Sequence, residues 1–327
     1  MSNAHVAENI SANPVAKIDV LMVGPQDPVL ADAVAREYTV HKLWLAEDRA
    51  AFLAERADLI RAIVTNAPVG ANAALMAALP KLEMIASSGV GLDAIDLDAA
   101  QRQGVIVTNT PGVLNECVAD AGLMLMLAVA RRLCEADRFV RSGEWEKRKF
   151  PLATSLGGKT CGIMGMGNIG RAVAKRAEAF RMTIAYYNPH QKTELPYTYY
   201  DNPEALARAA DFLVLTLPGG ASTFHIVNDR LLEALGPTGF LINIARGSVV
   251  DQLALIAALT SGKIAGAALD VFEDEPHVPA ELTVLDNVVL TPHFASGTHE
   301  TRGAMSQLTF DNLHAHFTGK PVITRVV

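Results

Sequence analysis

Short apolar runs alternate along most of the chain with stretches whose apolar residues recur at helical spacing. That pattern predicts βαβ units and a parallel sheet. Before residue 110 the runs 17–23, 40–45, 62–65, 84–87 and 105–108 read as strands, with Pro80 and Gly104 ending intervening helices. Thr110-Pro111-Gly112 is turn chemistry. Behind it, 115–142 predicts one long helix, apolar around much of its surface and so buried in a core or against another subunit. A second series follows: strand 160–166, helix 168–181 and strand 182–188, then strands at 212–217, 240–245, 265–272 and 288–291. A last helix is expected at 298–319, able to pack back on the first series. The fold class is α/β, in two parts that divide near Asn109.

Length agrees, since 327 residues exceed most single cores and suit two domains of roughly 100–200 residues. Half the residues are hydrophobic, 6% aromatic and 19% charged, which excludes disorder, collagen and coiled coil. The 28 basic and 35 acidic residues leave a net charge of −7, so the electrostatic footprint of a nucleic-acid binder is missing. Cys117, Cys134 and Cys161 form no CxxC pair, which suggests neither a disulfide framework nor a zinc cage and fits a reducing cytoplasm. The stretch 1–16 is polar and lacks the order of a signal peptide. The strongest apolar run, 121–130, is about half of a ~20-residue membrane span. A soluble cytoplasmic protein is expected.

Gly165-Met166-Gly167-Asn168-Ile169-Gly170 fits G-x-G-x-x-G, and its context strengthens a weak motif. An apolar strand enters it and a helix leaves it, as the Rossmann dinucleotide turn demands. Gly165 would allow the tight turn, Gly167 backbone approach to a pyrophosphate, and Gly170 packing of helix on strand. The helix N-terminus would then offer N–H groups to the phosphates. Because S-adenosylmethionine sites also use Gly-rich turns, later residues must choose the ligand. The strand after the turn ends at Asn188, 23 residues beyond Gly165, where NAD-specific units carry a carboxylate for the ribose 2′-hydroxyl. A neutral amide there repels no 2′-phosphate and can donate to it. His190 and Lys192 follow and could add positive charge, so NADPH is the expected cofactor, with NADH possible.

Three polar residues end apolar strands in the second part: Arg246 after 240–245, Asp270 within 266–272, and His293 after 288–292. Strand carboxyl ends face the ligand crevice of an open parallel sheet. Each residue alone reads as a cap or a turn; three on one sheet read as a site. Glu273, Asp274 and Glu275 form an acidic loop from which periodicity selects none. His314 and His316 lie on the amphipathic last helix without nearby carboxylate ligands, so no metal site is expected.

The segments Gly162 to Gly170, Ile242 to Gly247, Ala268 to Pro276 and Leu290 to His293 resemble the D-isomer-specific 2-hydroxyacid dehydrogenases, and most resemble their glyoxylate/hydroxypyruvate reductase branch. The likeness runs from about residue 17 to the end. It implies a Rossmann dinucleotide-binding domain, 110–294, inserted into a discontinuous flavodoxin-like substrate-binding domain, 1–109 and 295–327. It implies Arg246, Glu275 and His293 as the catalytic set, which selects Glu275 from the acidic loop. Ser88 to Asp93 looks like the substrate loop, with Val90 and Gly91 joining Arg246 around a substrate carboxylate. Pro218, Ile244, Ala245, Arg246, Asp270 and His293 join the glycine turn in the cofactor-binding set, Asp270 on the nicotinamide-ribose side. The region 115–142 looks like the dimer-forming helix, so a homodimer is expected. The function so implied is NAD(P)H-dependent reduction of a small 2-keto acid to a D-2-hydroxy acid. Hydride would reach C2 while a His/Glu pair delivers the proton and an Arg anchors the substrate. A cofactor-sensing corepressor of the same fold, or a dehydrogenase with another keto acid, is the alternative; the corepressor expects peptide-docking partners and extended tails.

Overall fold

Two parallel sheets organise the chain. The computed structural model describes residues 17–327, so the stretch 1–16, read above as lacking a signal peptide, lies outside the described residues. The described residues cluster into two units, one comprising 17–88, 94–109 and 306–327, the other 89–93 and 110–305.

The first unit runs β1 (Asp19–Met22), α1 (Pro28–Glu37), β2 (Thr39–Lys42), α2 (Arg49–Arg56), β3 (Ile60–Asn66), α3 (Ala73–Ala77), β4 (Met84–Ser88), α4 (Leu97–Gln103) and β5 (Ile106–Thr108). Its strands pair in the order β2-β1-β3-β4-β5, all parallel. That is the flavodoxin-like arrangement. Strands β1, β3 and β4 are buried on both faces, which explains their unbroken apolar runs.

The second unit runs α5 (Asn115–Ala130), α6 (Leu133–Arg141), β6 (Thr160–Met164), α7 (Asn168–Ala179), β7 (Thr183–Tyr187), β8 (Thr198–Tyr200), α8 (Pro203–Ala209), β9 (Phe212–Leu215), α9 (Asp229–Leu235), β10 (Phe240–Asn243), α10 (Gln252–Thr260), β11 (Gly266–Leu269), α11 (Ala280–Thr283), β12 (Val288–Leu290) and α12 (His299–Phe317). The last of these continues into the first unit from Ser306. The seven strands, again all parallel, are ordered β12-β11-β10-β9-β6-β7-β8. This is the Rossmann order with one further strand, and its direction of winding reverses between β6 and β9.

Strands fall where the apolar runs predict, most trimmed at their ends, while β3 and β4 run past the expected 62–65 and 84–87. The short β8 was missed because it is an edge strand, Thr198-Tyr199-Tyr200, with no apolar run. The single helix expected over 115–142 is instead two, and Arg132 marks the break at φ 51°. Its guanidinium forks onto both oxygens of Glu135, 2.8 and 2.9 Å away. The two segments have opposite surroundings, which requires a change of direction. Helix α5 is buried over most of its length against α7, β10, β11 and β12, whereas α6 buries only Phe139. The apolar surface of α5 is thus covered largely within its own unit.

Candidate active site

Most helices here begin under an Asp or Asn side chain. Asp48 accepts from Ala50 and Ala51 N–H, Asp96 from Ala99, Asn202 from Ala205 and Asp251 from Ala254. Each such cap is worth about 0.5–2 kcal/mol. Helix α7 starts at Gly167 with no side-chain cap, leaving its first turn to other acceptors. A side chain at Gly167 would meet nothing within 4 Å, so there is open space beside this turn. Gly165 turns the chain at φ 103°, and a Cβ there would lie 2.7 Å from Leu217 N. One at Gly170 would lie 2.3 Å from Gly165 O. Both positions therefore require glycine. The turn sits at the β6–β9 reversal, and Thr216, just past β9, donates to Gly165 O at 2.6 Å. An uncapped helix start, open space and a braced turn at the switch point fit a dinucleotide pyrophosphate.

The loop after β7 is held at several points. Asn188 Oδ1 accepts from Met166 N at 2.6 Å, so its amide Nδ2 is the end left for another acceptor. Tyr199 OH donates to Asn188 O at 3.1 Å. The buried Tyr186 hydroxyl donates to Lys192 O at 3.2 Å and accepts from Lys192 N at 2.9 Å. Arg171 reaches Glu194 at 2.8 Å. His190 is exposed on this loop. The ring of Tyr186 was readable only as core.

Arg246 follows β10, and the buried Asn243 shapes its approach. Asn243 Oδ1 accepts from Ala245 N at 3.0 Å and its Nδ2 donates to Arg246 O at 2.9 Å, closing a turn that aims the arginine. A lone amide in an apolar strand was the available signal for Asn243.

His293 follows β12 in a left-handed conformation, φ 49°, which costs a non-glycine residue about 1–2 kcal/mol. Asp270 supports that turn. Its backbone oxygen accepts from His293 N at 2.8 Å. Its buried carboxylate accepts from Thr291 Oγ1 at 2.7 Å and from Phe294 and Ala295 N–H at 2.9 Å each. All three donors to the carboxylate come from the chain around His293.

With its backbone so held, His293 places Nδ1 2.6 Å from Glu275 Oε2. The other carboxylate oxygen, Oε1, accepts from Phe272 N at 3.0 Å. Burial pushes the Glu275 carboxyl up, but the bond to His293, the Phe272 N–H and the charges of His293 and Arg246 outweigh it. The group is held below the usual carboxylate range, an anion at neutral pH. Nδ1 is therefore the donor to Glu275, and Nε2 is the ring nitrogen left to exchange a proton with a ligand. The neighbouring Glu273 takes a different histidine, His225, at 2.5 Å.

An arginine, an imidazole–carboxylate pair and an uncapped glycine turn thus share the carboxyl edge of one parallel sheet, an arrangement suited to moving a proton beside a bound dinucleotide. Residues 123–295 match the model of the NAD-binding domain of D-isomer specific 2-hydroxyacid dehydrogenases. The chain belongs to that family. Its members are NAD(P)-dependent oxidoreductases, and this chain is one of them. Glyoxylate/hydroxypyruvate reductase A of Arabidopsis thaliana is 49% identical over 310 residues, covering 95% of this chain and 99% of that protein. Hydroxyphenylpyruvate reductase of Plectranthus scutellarioides is 48% identical over the same shares. The crystal structure of an NADPH-dependent glyoxylate/hydroxypyruvate reductase from Sinorhizobium meliloti, in complex with NADP and malonate, superposes with a TM-score of 0.89 at 41% identity, covering 95% of this chain and 97% of that one.

His314 and His316 of this dehydrogenase serve packing: His314 stacks on Phe310, and His316 pairs with Glu83 at 3.0 Å. No helix among the described residues is long and apolar enough to cross a membrane.

Proposed function

We propose that this chain reduces glyoxylate and hydroxypyruvate to the D-2-hydroxy acids, with NADPH as preferred cofactor. The single observation that carries the reading is the His293–Glu275 pair, 2.6 Å apart, on the sheet edge that also carries Arg246 and the glycine turn. The substrate branch rests on the likeness to the Arabidopsis and Sinorhizobium reductases.

The glycine turn, Gly165 to Gly170, would hold the pyrophosphate, with Pro218, Ile244, Ala245 and Asp270 around the nicotinamide half. When bound, the reduced nicotinamide supplies the hydride for C2 of the keto acid. The backbone at Val90 and Gly91 takes the substrate carboxylate, together with Arg246. Arg246 also polarises the carbonyl oxygen as negative charge develops there, and charge-assisted bonds of this kind are worth about 1.5–3 kcal/mol. His293 donates the proton from Nε2, and Glu275 steadies the imidazolium before that transfer. Asp270 acts through the loop it holds around His293. Asn188 Nδ2, with His190 and Lys192 on the pinned loop, receives the 2′-phosphate.

The assembly we propose is a homodimer formed through the 115–142 region, chiefly α6, and the segment that follows. Leu133, Val140, Trp145 and Leu152 are large apolar side chains exposed there, Leu152 at 97%. The location we propose is the cytoplasm, in keeping with three free cysteines.

Following NADPH and NADH oxidation with glyoxylate, hydroxypyruvate and hydroxyphenylpyruvate tests the reading. Glyoxylate and hydroxypyruvate with NADPH should show the highest kcat/KM. Preference for the aromatic keto acid would move the chain to the branch of the Plectranthus relative, and no turnover with any keto acid would end the enzymatic reading.

A further inference from the structure

Arg246 is restrained on several sides, and one restraint comes from a residue that neither the glycine motif nor the strand-end pattern singles out. Its Nε donates to Asp93 Oδ2 at 2.9 Å, and its Nη1 donates to Ala245 O at 2.6 Å. Its Nη2 lies where a side chain on Gly91 would be, 1.7 Å from the position of such a Cβ. On another side, a Cβ at Gly219 would lie 3.1 Å from both Arg246 Cγ and Asp93 Oδ1. Asp93 and Gly91 belong to the loop 89–93, which clusters with the second unit rather than with the strand that leads into it. The loop returns upon itself through Thr110, whose N–H donates to Gly89 O at 2.9 Å and whose Oγ1 accepts from Gly89 N at 3.0 Å.

Asp93 and Arg246 are each about a third exposed, so solvent screens the pair and its contribution to stability is small. Its geometry matters more. A free arginine side chain has four rotatable bonds. This one is held by hydrogen bonds at two nitrogens, and its third, Nη2, lies beside Gly91 in the loop that offers Val90 and Gly91.

We propose that Asp93 is a positioning residue that locks the Arg246 guanidinium in register with the Val90–Gly91 backbone. A 2-keto acid then meets its carboxylate anchor and its carbonyl polariser at a preset spacing. The proposal rests on the reading of Arg246 and the 90–91 backbone as substrate contacts. Asp93 itself touches no reacting atom. Gly91 must lack a side chain because the guanidinium occupies that space.

The test uses the full-length protein and the variants Asp93→Ala, Asp93→Asn, Gly91→Ala and Arg246→Ala. Its readouts are steady-state kinetics with glyoxylate, inhibition by oxamate as an unreactive 2-keto acid analogue, NADPH affinity by fluorescence titration, and thermal unfolding. A misplaced guanidinium should lower kcat/KM and oxamate affinity about 10–100-fold in Asp93→Ala, because small errors in the placement of reacting groups have effects of that size. NADPH affinity should stay within about twofold, since Asp93 has no role toward the cofactor. Asp93→Asn keeps an oxygen that accepts from Nε and should recover most of the loss. Gly91→Ala should reproduce the defect by steric displacement, even if Asp93→Ala fails to fold. Near-normal oxamate binding in Asp93→Ala, with Arg246→Ala impaired, overturns the positioning role alone. Equal impairment of the Ala and Asn variants also overturns it, because charge rather than hydrogen-bond geometry would then be at work. An unimpaired Arg246→Ala would remove the reading of the site on which the proposal rests.

Discussion

The two sheets are built alike and used differently. Both are parallel, both wind outward in two directions, and both bury their central strands on two faces. In the first, the turns beyond the carboxyl ends are held by bonds both local and distant, such as Thr65 Oγ1 to Gly70 O at 2.7 Å and Asn66 Nδ2 to Pro25 O at 3.1 Å. In the second, the ends of β6, β7, β10 and β12 carry Gly165, Asn188, Arg246 and His293, each held by a partner distant in sequence. A parallel sheet does not by itself make a site. What distinguishes the second is buried polar support, Asn243 and Asp270 above all, whose hydrogen bonds go to the backbone of the loops that carry Arg246 and His293.

The sharpest way to break that contrast is at the edge itself. His293→Ala should lower kcat about 10²–10⁴-fold, with NADPH affinity near that of wild type, as expected for a proton donor. Arg246→Ala should raise KM as well as lower kcat, because it meets ground and transition states alike. Single-turnover kinetics together with cofactor titration separate the two patterns, and a His293→Ala enzyme of near-normal turnover would deny the acid role.

A smaller effect is expected at Asn188. Asn188→Asp puts a carboxylate where the 2′-phosphate is proposed to lie and should shift the kcat/KM ratio toward NADH by about tenfold or more, equivalent to about 1.4 kcal/mol. A wild type that favours NADH outright would count against the NADPH reading before any variant is made.

Glu275→Gln addresses the pair itself. The carboxylate accepts from Nδ1 at 2.6 Å and orients the ring, so the variant should lose kcat severalfold while NADPH affinity holds. Glu275 titrates below the usual carboxylate range, so the stabilisation from its pairing is present above that range and lost as pH falls through the depressed folded value. An unchanged kcat in the variant would detach Glu275 from the proton step.

Support beneath the edge should matter less. Tyr186→Phe removes both hydrogen bonds to the Lys192 backbone and should cost about 0.5–1.5 kcal/mol of stability, with NADPH affinity falling more than NADH affinity. Equal losses for the two nucleotides would make the tyrosine a matter of stability only.

The least effect is expected in the first unit. Burial raises the Glu83 carboxyl, but its bonds to Arg61 and His316 prevail and hold it low. Glu83→Gln should therefore destabilise slightly at neutral pH, by under about 1 kcal/mol for so exposed a pair, with the difference vanishing as pH falls through the depressed value. Catalytic constants should not move. If they do, an imidazole–carboxylate pair outside the sheet edge has a share in activity and the contrast weakens.

Much of this was legible before the fold. Alternating apolar periodicity required two parallel α/β sheets, because a strand buried on both faces must be apolar without interruption. The glycine spacing and its strand-to-helix context pointed to a dinucleotide turn, and in the fold φ 103° at Gly165 and the contact at Gly170 exclude side chains there. Arg246, Asp270 and His293 stood out as polar residues closing apolar strands. Periodicity left Glu273, Asp274 and Glu275 equivalent, and family resemblance singled out Glu275; in space both glutamates meet a histidine, and only His293 belongs to a strand end of the site.

Tertiary structure decided the rest. It broke the helix at Arg132, where surroundings change from buried to exposed. It turned the Asp270 carboxylate onto the backbone around His293, pinned Lys192 under Tyr186, and brought Asp93 to Arg246 across 153 residues. Periodicity records which face of an element is buried. It holds no record of which elements become neighbours, and that depends on strand order and crossovers, so hydrogen bonds between distant loops exist only once the sheet is assembled.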